Sequence, residues 1–210
     1  MSGRNGKIGK QTGEADPPEA PARPARADAR RNLDAILRAA MTVFTESGVD
    51  APMRTIAAKA GVGVGTLYRH FPQRSDLIKA IIRREVDACA EAGPALAAAH
   101  EPGEALAAWM QRLPGFVSTK RGLGPALHSG DPAYQALPDY LTGRLTPVLQ
   151  DLLDAAASAG VIRSGVDAGE LLLAGLRLAS PASDGDMAQA RRMVALLVDG
   201  LRYGASGPGT

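Results

Sequence analysis

One cysteine and three histidines are all the thiol and imidazole ligands that this chain of 210 residues offers a metal. With Cys89 alone, no intramolecular disulfide can form and a cysteine-rich zinc site is excluded. His70, His100 and His128 share no short metal-binding spacing, and no H-E-x-x-H occurs. Catalytic patterns are also missing. There is no G-x-S-x-G, and Gly61-x-Gly63-x-Gly65 lacks the third glycine of a dinucleotide loop and follows a helical pattern instead of a strand. No apolar run approaches the length of a membrane span. The first residues lack the hydrophobic core of a signal peptide and carry Arg4, Lys7 and Lys10 among glycines, so a cytoplasmic protein is expected. Together these absences argue against an enzyme, and no metal or cofactor is expected.

Charge is nearly balanced, at a formal +2, but it is uneven. Between Asp28 and Arg84 ten cations face five anions, and the remainder is net negative. A basic surface beside an acidic remainder fits a partner touched at one end, and phosphate is the obvious candidate. Charge alone describes a solvated surface equally well, so the pattern inside this segment has to decide.

That pattern is a pair of short helices with a glycine turn. In Met53-Arg54-Thr55-Ile56-Ala57-Ala58-Lys59-Ala60, the residues Ile56, Ala57 and Ala60 share one face. Ala57 is small enough for two helices to cross steeply there. Gly61 accepts the left-handed backbone of a helix C-cap, Val62 can plug the angle, and Gly63 starts a second helix from Val64 to about Phe71. Leu67 and Phe71 make the inner side of that helix, leaving Val64, Gly65, Thr66, Tyr68 and Arg69 outside. His70 is expected to lean toward the interior. A helix, a short turn and a second helix form the layout whose second helix enters the DNA major groove.

Ile56-Ala57, Ala60-Gly61-Val62, Gly65-Thr66-Leu67-Tyr68-Arg69-His70-Phe71 and Arg74-Ser75-Asp76-Leu77, with Phe44-Thr45-Glu46-Ser47-Gly48 upstream, occur in this order. This set resembles the DNA-binding domain of the TetR family of transcriptional repressors, over roughly residues 30–85. Gly63 stands where the family commonly has serine or threonine, and a glycine cap is poorer by only about a few tenths of a kcal/mol. The resemblance implies double-stranded DNA as a partner, and places Arg54, Val64, Gly65, Thr66, Tyr68, Arg69 and Arg74 on positions that commonly touch it. It also implies a small-molecule effector bound in the C-terminal domain.

The chain reads as all-α, with about nine helices and no strand signal: a three-helix head and a helical effector-binding and dimerisation domain. Residues 1–28 are rich in Gly, Pro, Ala and charge and are expected to form a disordered arm, in which Arg23, Arg26 and Arg30 are candidates for added phosphate or minor-groove contacts. The DNA-binding domain is placed at 29–75, the effector domain at 76–204 and a flexible tail at 205–210. Helix 29–47 carries the stripe Leu33, Ile36, Leu37, Ala40, Val43 and Phe44. A fourth helix begins near Ser75 or Asp76 and is expected to kink or end at Gly93-Pro94. Further helices are expected at 102–119, with a kink before Pro114, at 121–128, from Asp131-Pro132, at 138–159 and 168–180, and from Asp184 or Asp186 to Tyr203.

Two groups of residues stand out in the C-terminal half. Trp109, Met110, Leu113, Phe116 and Val117 precede a glycine-interrupted stretch, where irregular packing leaves pockets; they are the candidate effector contacts, and the same residues read equally as core. The effector is expected to be largely apolar. The helices 168–180 and 186–203 carry more apolar surface than one lightly covered side needs, and no later segment exists to cover them. Leu172, Leu176, Val194, Leu197, Val198 and Leu201 are therefore the expected homodimer interface. Rival readings remain: a helical binding or scaffold protein whose basic head docks on another surface, or an enzyme built on the same helices.

Overall fold

A computed structural model of the chain describes residues 23–119, 121–180 and 187–204. Among the described residues there are ten α-helices, one of them a single turn, and no strand. The expected structure of residues 1–22 and of the 205–210 tail, and the expected cap at Asp184 or Asp186, lie outside the described residues.

The head is made of α1 (Arg23–Ser47), α2 (Met53–Ala60) and α3 (Val64–His70). The first of these starts at Arg23, inside the segment expected to be disordered. The run from Pro24 to Arg31 is mostly alanine and arginine, both strong helix formers, and a proline in the first turn costs no hydrogen bond. Ile36, Leu37, Ala40, Val43 and Phe44 form the buried stripe of α1, with Leu33 partly covered. Gly48, at φ 77°, closes the helix, and its N–H donates to the Phe44 carbonyl.

From Arg74 to Ala99 the chain forms a single long helix, α4. It does not break at Gly93-Pro94. A Cβ at Gly93 would stand 2.2 Å from Val148 Cγ1, so the glycine makes room for another helix crossing at this point and does not mark an end. That partner is α8 (Leu137–Ser158), which makes the broadest contact of α4. The start of α4 is held by a reciprocal polar contact, in which the Gln73 N–H donates to Asp76 Oδ2 at 3.2 Å. Lys79, 2.9 Å away, is the main cause holding the Asp76 carboxyl below its usual range.

The expected helix 102–119 is two helices, α5 (Pro102–Met110) and α6 (Leu113–Thr119), separated just before Pro114. A 3₁₀ turn at Arg121–Leu123 leads into the one-turn helix α7 (Gly124–Leu127), and a second at Pro132–Tyr134 precedes α8. The last two helices are α9 (Ala168–Leu178) and α10 (Met187–Leu201). Asp167 caps α9 by accepting from the Glu170 N–H at 2.7 Å.

One continuous apolar core links both halves, from Ile36 and Phe44 in the head to Val198 and Leu201 at the end of the chain. Trp109 is fully buried and its Nε1–H donates to the Cys89 carbonyl at 2.9 Å, fastening α5 to α4. Cys89 is itself a small buried packing residue. A Cβ on Gly175 would meet Leu113 Cδ1 at 2.8 Å, so this glycine lets α9 close onto α6 within one chain.

The same packing bears on the expected dimer face. Leu172, Val194, Val198 and Leu201 are buried within the single chain, and Leu176 and Leu197 are half-buried. The stripe on α10 has the expected period, but it faces α5, α6 and α9, which come earlier in the chain and cover it. What the last two helices present outward is Leu173 and Leu178 on α9 and Leu196, 63% exposed, on α10.

Candidate nucleic-acid interface

Two helices and a glycine turn fix the presentation of α3. Gly61 takes φ 69°, and the Val62 N–H reaches back to the Ala57 carbonyl at 3.0 Å, closing α2. Ala57 and Ile56 are fully buried at the crossing, and Val62 packs against the core. Gly63 is the residue before α3, in extended conformation, and makes no side-chain cap, as its identity requires. Leu67, fully buried, and Phe71 anchor α3 from beneath.

On the opposite side of α3 are Val64, Gly65, Tyr68 and Arg69, all exposed, with Thr66 half-buried. Tyr68 is 47% and Val64 41% exposed, a large outlay of apolar surface for a helix of seven residues. Arg69 folds back along its own helix: Nε donates to the Gly65 carbonyl at 3.3 Å and Nη2 to Thr66 Oγ1 at 3.4 Å. Nothing lies within 4 Å of where a Gly65 Cβ would stand, and its φ is not left-handed, so packing inside the chain does not require glycine there. His70 is exposed, against expectation. Its ring tilts against Phe71 at 6.4 Å, and at the last position of a short helix it has no neighbour to cover it.

The basic residues of the head divide into paired and unpaired. Lys59 bridges to Glu46 at 2.9 Å and ties α2 to α1, and Arg84 pairs with Asp34 at 2.9 Å. Arg54 and Arg69 are exposed and pair with no carboxylate among the described residues. Arg74 differs from them. Its guanidinium is half-buried and donates to the Val49 carbonyl and, at 2.7 Å, to the Ala51 carbonyl, bracing the loop between α1 and α2.

Behind the head, the 3₁₀ turn at Arg121–Leu123 packs against α1. A Cβ on Gly122 would meet the Phe44 carbonyl oxygen at 2.5 Å and the Phe44 carbonyl carbon at 2.8 Å, so the 3₁₀ turn lies directly on the backbone of α1. A polar clasp holds α4 to α8: the Tyr140 hydroxyl donates to the Asp87 carboxylate at 2.8 Å, Arg144 Nε donates to it at 2.9 Å, and the Arg83 guanidinium stands 5.2 Å from the centre of the Tyr140 ring. Burial, with the Asp87 carboxylate second, pushes the Tyr140 phenol up.

A cleft of about 560 Å³ opens between α4, α7, α8 and α9, bordered by Ile82, Leu127, Tyr134, Leu141 and Leu173 among others. Of the five residues expected to meet an effector, only Val117 borders it. Trp109, Met110 and Leu113 are fully buried core, and Phe116 borders a separate hollow beside Arg112 and Arg191. The glycine-broken segment does leave a cavity. Its walls come from residues on several distant helices, and no one helix's periodicity could reveal them. His128, directly after the apolar run 124–127, is a local signal of it.

Residues 36–81 match the family model described as bacterial regulatory proteins, tetR family, and residues 101–203 match the C-terminal domain described as transcriptional regulator SbtR-like. A crystal structure of a TetR transcriptional regulator from Streptomyces coelicolor is 41% identical, covering 81% of this chain and 98% of that one, with a TM-score of 0.68. A TetR transcription regulatory protein from Mycobacterium vanbaalenii is 34% identical over 85% of this chain and 99% of its own, also at 0.68. An HTH-type transcriptional regulator of Staphylococcus aureus (strain USA300) is 44% identical over 63 residues, 30% of this chain, so the match spans about a third of that relative's length. Family membership also answers the enzyme question, because these regulators are non-enzymatic. The all-helical fold, the head and the exposed α3 agree with these matches: this DNA-binding transcriptional regulator belongs to the TetR family.

Proposed function

We propose that the chain acts in the cytoplasm as a homodimeric repressor that reads a palindromic operator with α3 and releases it when a small molecule occupies the C-terminal domain. The observation that carries the reading is the outer face of α3, where Val64, Gly65, Tyr68 and Arg69 are exposed over a fully buried Leu67. Tyr68 can donate to a phosphate while its ring packs on sugar, and Arg69 can reach guanine bidentately or bind phosphate. Thr66 offers a hydroxyl and a methyl to phosphate or thymine. Gly65, which the chain's own packing does not require, lets the helix backbone approach the duplex closely. Arg54, exposed on α2, flanks the groove and positions the backbone. Arg74 contributes by bracing the loop, through the carbonyls it already holds.

A single head contacts one half-site. Two heads held roughly 34–36 Å apart read a palindrome in successive major grooves. The second copy covers Leu196 and Leu178, large apolar side chains that the last two helices leave exposed. An effector then favours a head spacing that no longer matches the operator, by no more than its differential affinity for the two states. Selection of genomic fragments on the full-length protein tests the reading. An inverted repeat with half-site centres about 10 base pairs apart is expected. Fragments without a shared motif would overturn it.

A further inference from the structure

We propose that the cleft between α4, α7, α8 and α9 takes a neutral, mainly apolar molecule that donates a hydrogen bond, such as an alcohol or a phenol. The inference rests on the effector reading above and gives that effector a place and a chemical class. At about 560 Å³, the cleft lies within the roughly 300–1,000 Å³ of small-molecule sites.

The charge of the ligand follows from what the cleft lacks. Among the described residues no Lys, Arg, Asp or Glu borders it, in a chain that is 22% charged. Three other hollows have ionic rims: Glu85, Arg112 and Arg191 at one, Arg38 and Arg84 at a second, Arg163, Asp167 and Glu170 at a third. An ion entering the cleft would give up its hydration and find no opposite charge.

The donor requirement follows from hydrogens already spent. His128 Nδ1 donates to the Gly124 carbonyl at 2.8 Å, so in the neutral ring Nε2 is left as an acceptor. Thr142 Oγ1 donates to the Pro138 carbonyl at 3.1 Å, and Ser180 Oγ to the Leu176 carbonyl at 3.1 Å. Each of these side chains carries one such hydrogen, and what remains on all of them is lone pairs. Tyr134 is the exception among the polar residues bordering the cleft. Burial is the main cause pushing its phenol up, so it stays neutral and can answer a ligand as donor or acceptor. Three polar residues that only accept select a ligand that gives a hydrogen.

Three probes on one ring system test this by calorimetric titration of the full-length protein near neutral pH: 2-naphthol, 2-methoxynaphthalene and naphthalene-2-sulfonate. The naphthol is expected to bind once per chain, about tenfold tighter than the ether, which keeps the shape and loses the donor. The sulfonate is expected to give no saturable heat. In His128→Phe, the naphthol should fall toward the ether's affinity while the ether is unchanged. Because His128 is exposed, that variant is expected to keep its thermal midpoint. Equal affinity for naphthol and ether, saturable binding of the sulfonate, or no binding of any probe because a second copy fills the cleft would each overturn the proposal. A chain that binds its operator yet takes no probe fails here alone. One that takes 2-naphthol as expected and binds no duplex overturns the DNA reading and leaves the ligand chemistry standing.

Discussion

Gly65 separates what the fold needs from what a partner needs. Alanine there meets nothing within 4 Å and removes a glycine from a helix, so Gly65→Ala is expected to stabilise the protein by up to about 1 kcal/mol. The same methyl stands on the face offered to DNA, so operator affinity should fall. A raised thermal midpoint with weaker binding in one variant is the expected pair, and raised stability with unchanged binding would remove Gly65 from the interface. Tyr68→Ala should weaken binding broadly, and Arg69→Ala should cost roughly 1–3 kcal/mol and relax preference at one position if the contact is bidentate. Gel-shift titration at fixed salt, on the selected operator and its point variants, reads both effects. Trp109 belongs to the core instead: with no exposure and its N–H held by Cys89, Trp109→Ala should cost about 3–5 kcal/mol, seen as a collapsed thermal midpoint. The residues of the head were legible because Leu67 and Phe71 fall one helical turn apart, with glycines before them and Pro72 after. Arg74 and His70 were not, because the carbonyls that hold Arg74 and the lack of cover over His70 depend on where separate loops end.

Elements were read best where local signals stop a helix, and least well where a distant helix decides. Gly48, Gly61 and Gly160 all end helices with a left-handed φ, and Asp167 caps as expected. Gly93 looked like such a stop, but the side chain it avoids is Val148, far along the chain. Gly93→Ala should therefore overpack the contact between α4 and α8 and cost about 1–3 kcal/mol, where a helix-ending glycine without such a contact would not. Gly122 is the sharper test of how the two halves are joined. Its substitution by alanine forces the 3₁₀ turn away from the Phe44 carbonyl, a backbone atom that cannot rotate aside. Gly122→Ala is expected to change operator affinity while Leu67, Phe71 and the rest of α3 stay packed. Hydrogen exchange that loosens the end of α1 and leaves α3 protected would support this. Unchanged exchange and unchanged affinity would show that the contact carries nothing.

For the molecule as a whole, the period of an apolar stripe tells which residues are buried and not what buries them. On α10 the stripe Val194, Val198 and Leu201 was recognised, and its cover turned out to be this chain's own α5, α6 and α9. Leu196→Asp is accordingly expected to give a folded monomer in sedimentation, whereas Val198→Asp should unfold the chain, because it buries an unpaired carboxylate. A Leu196→Asp protein that sediments as a dimer would move the interface elsewhere. The basic head and the more acidic remainder make the same distinction between ends of the molecule. Each phosphate neutralised by the head releases counterions, so affinity should fall linearly with log salt. Fluorescence anisotropy of the full-length protein, titrated onto the selected operator and onto a shuffled duplex across a salt series, measures sequence reading most directly. The expected result is a salt slope common to both duplexes, with the operator bound at least about 10³-fold more tightly at physiological salt and Tyr68→Ala weakening it. Equal affinity for the two duplexes at every salt concentration would contradict sequence-specific reading by α3.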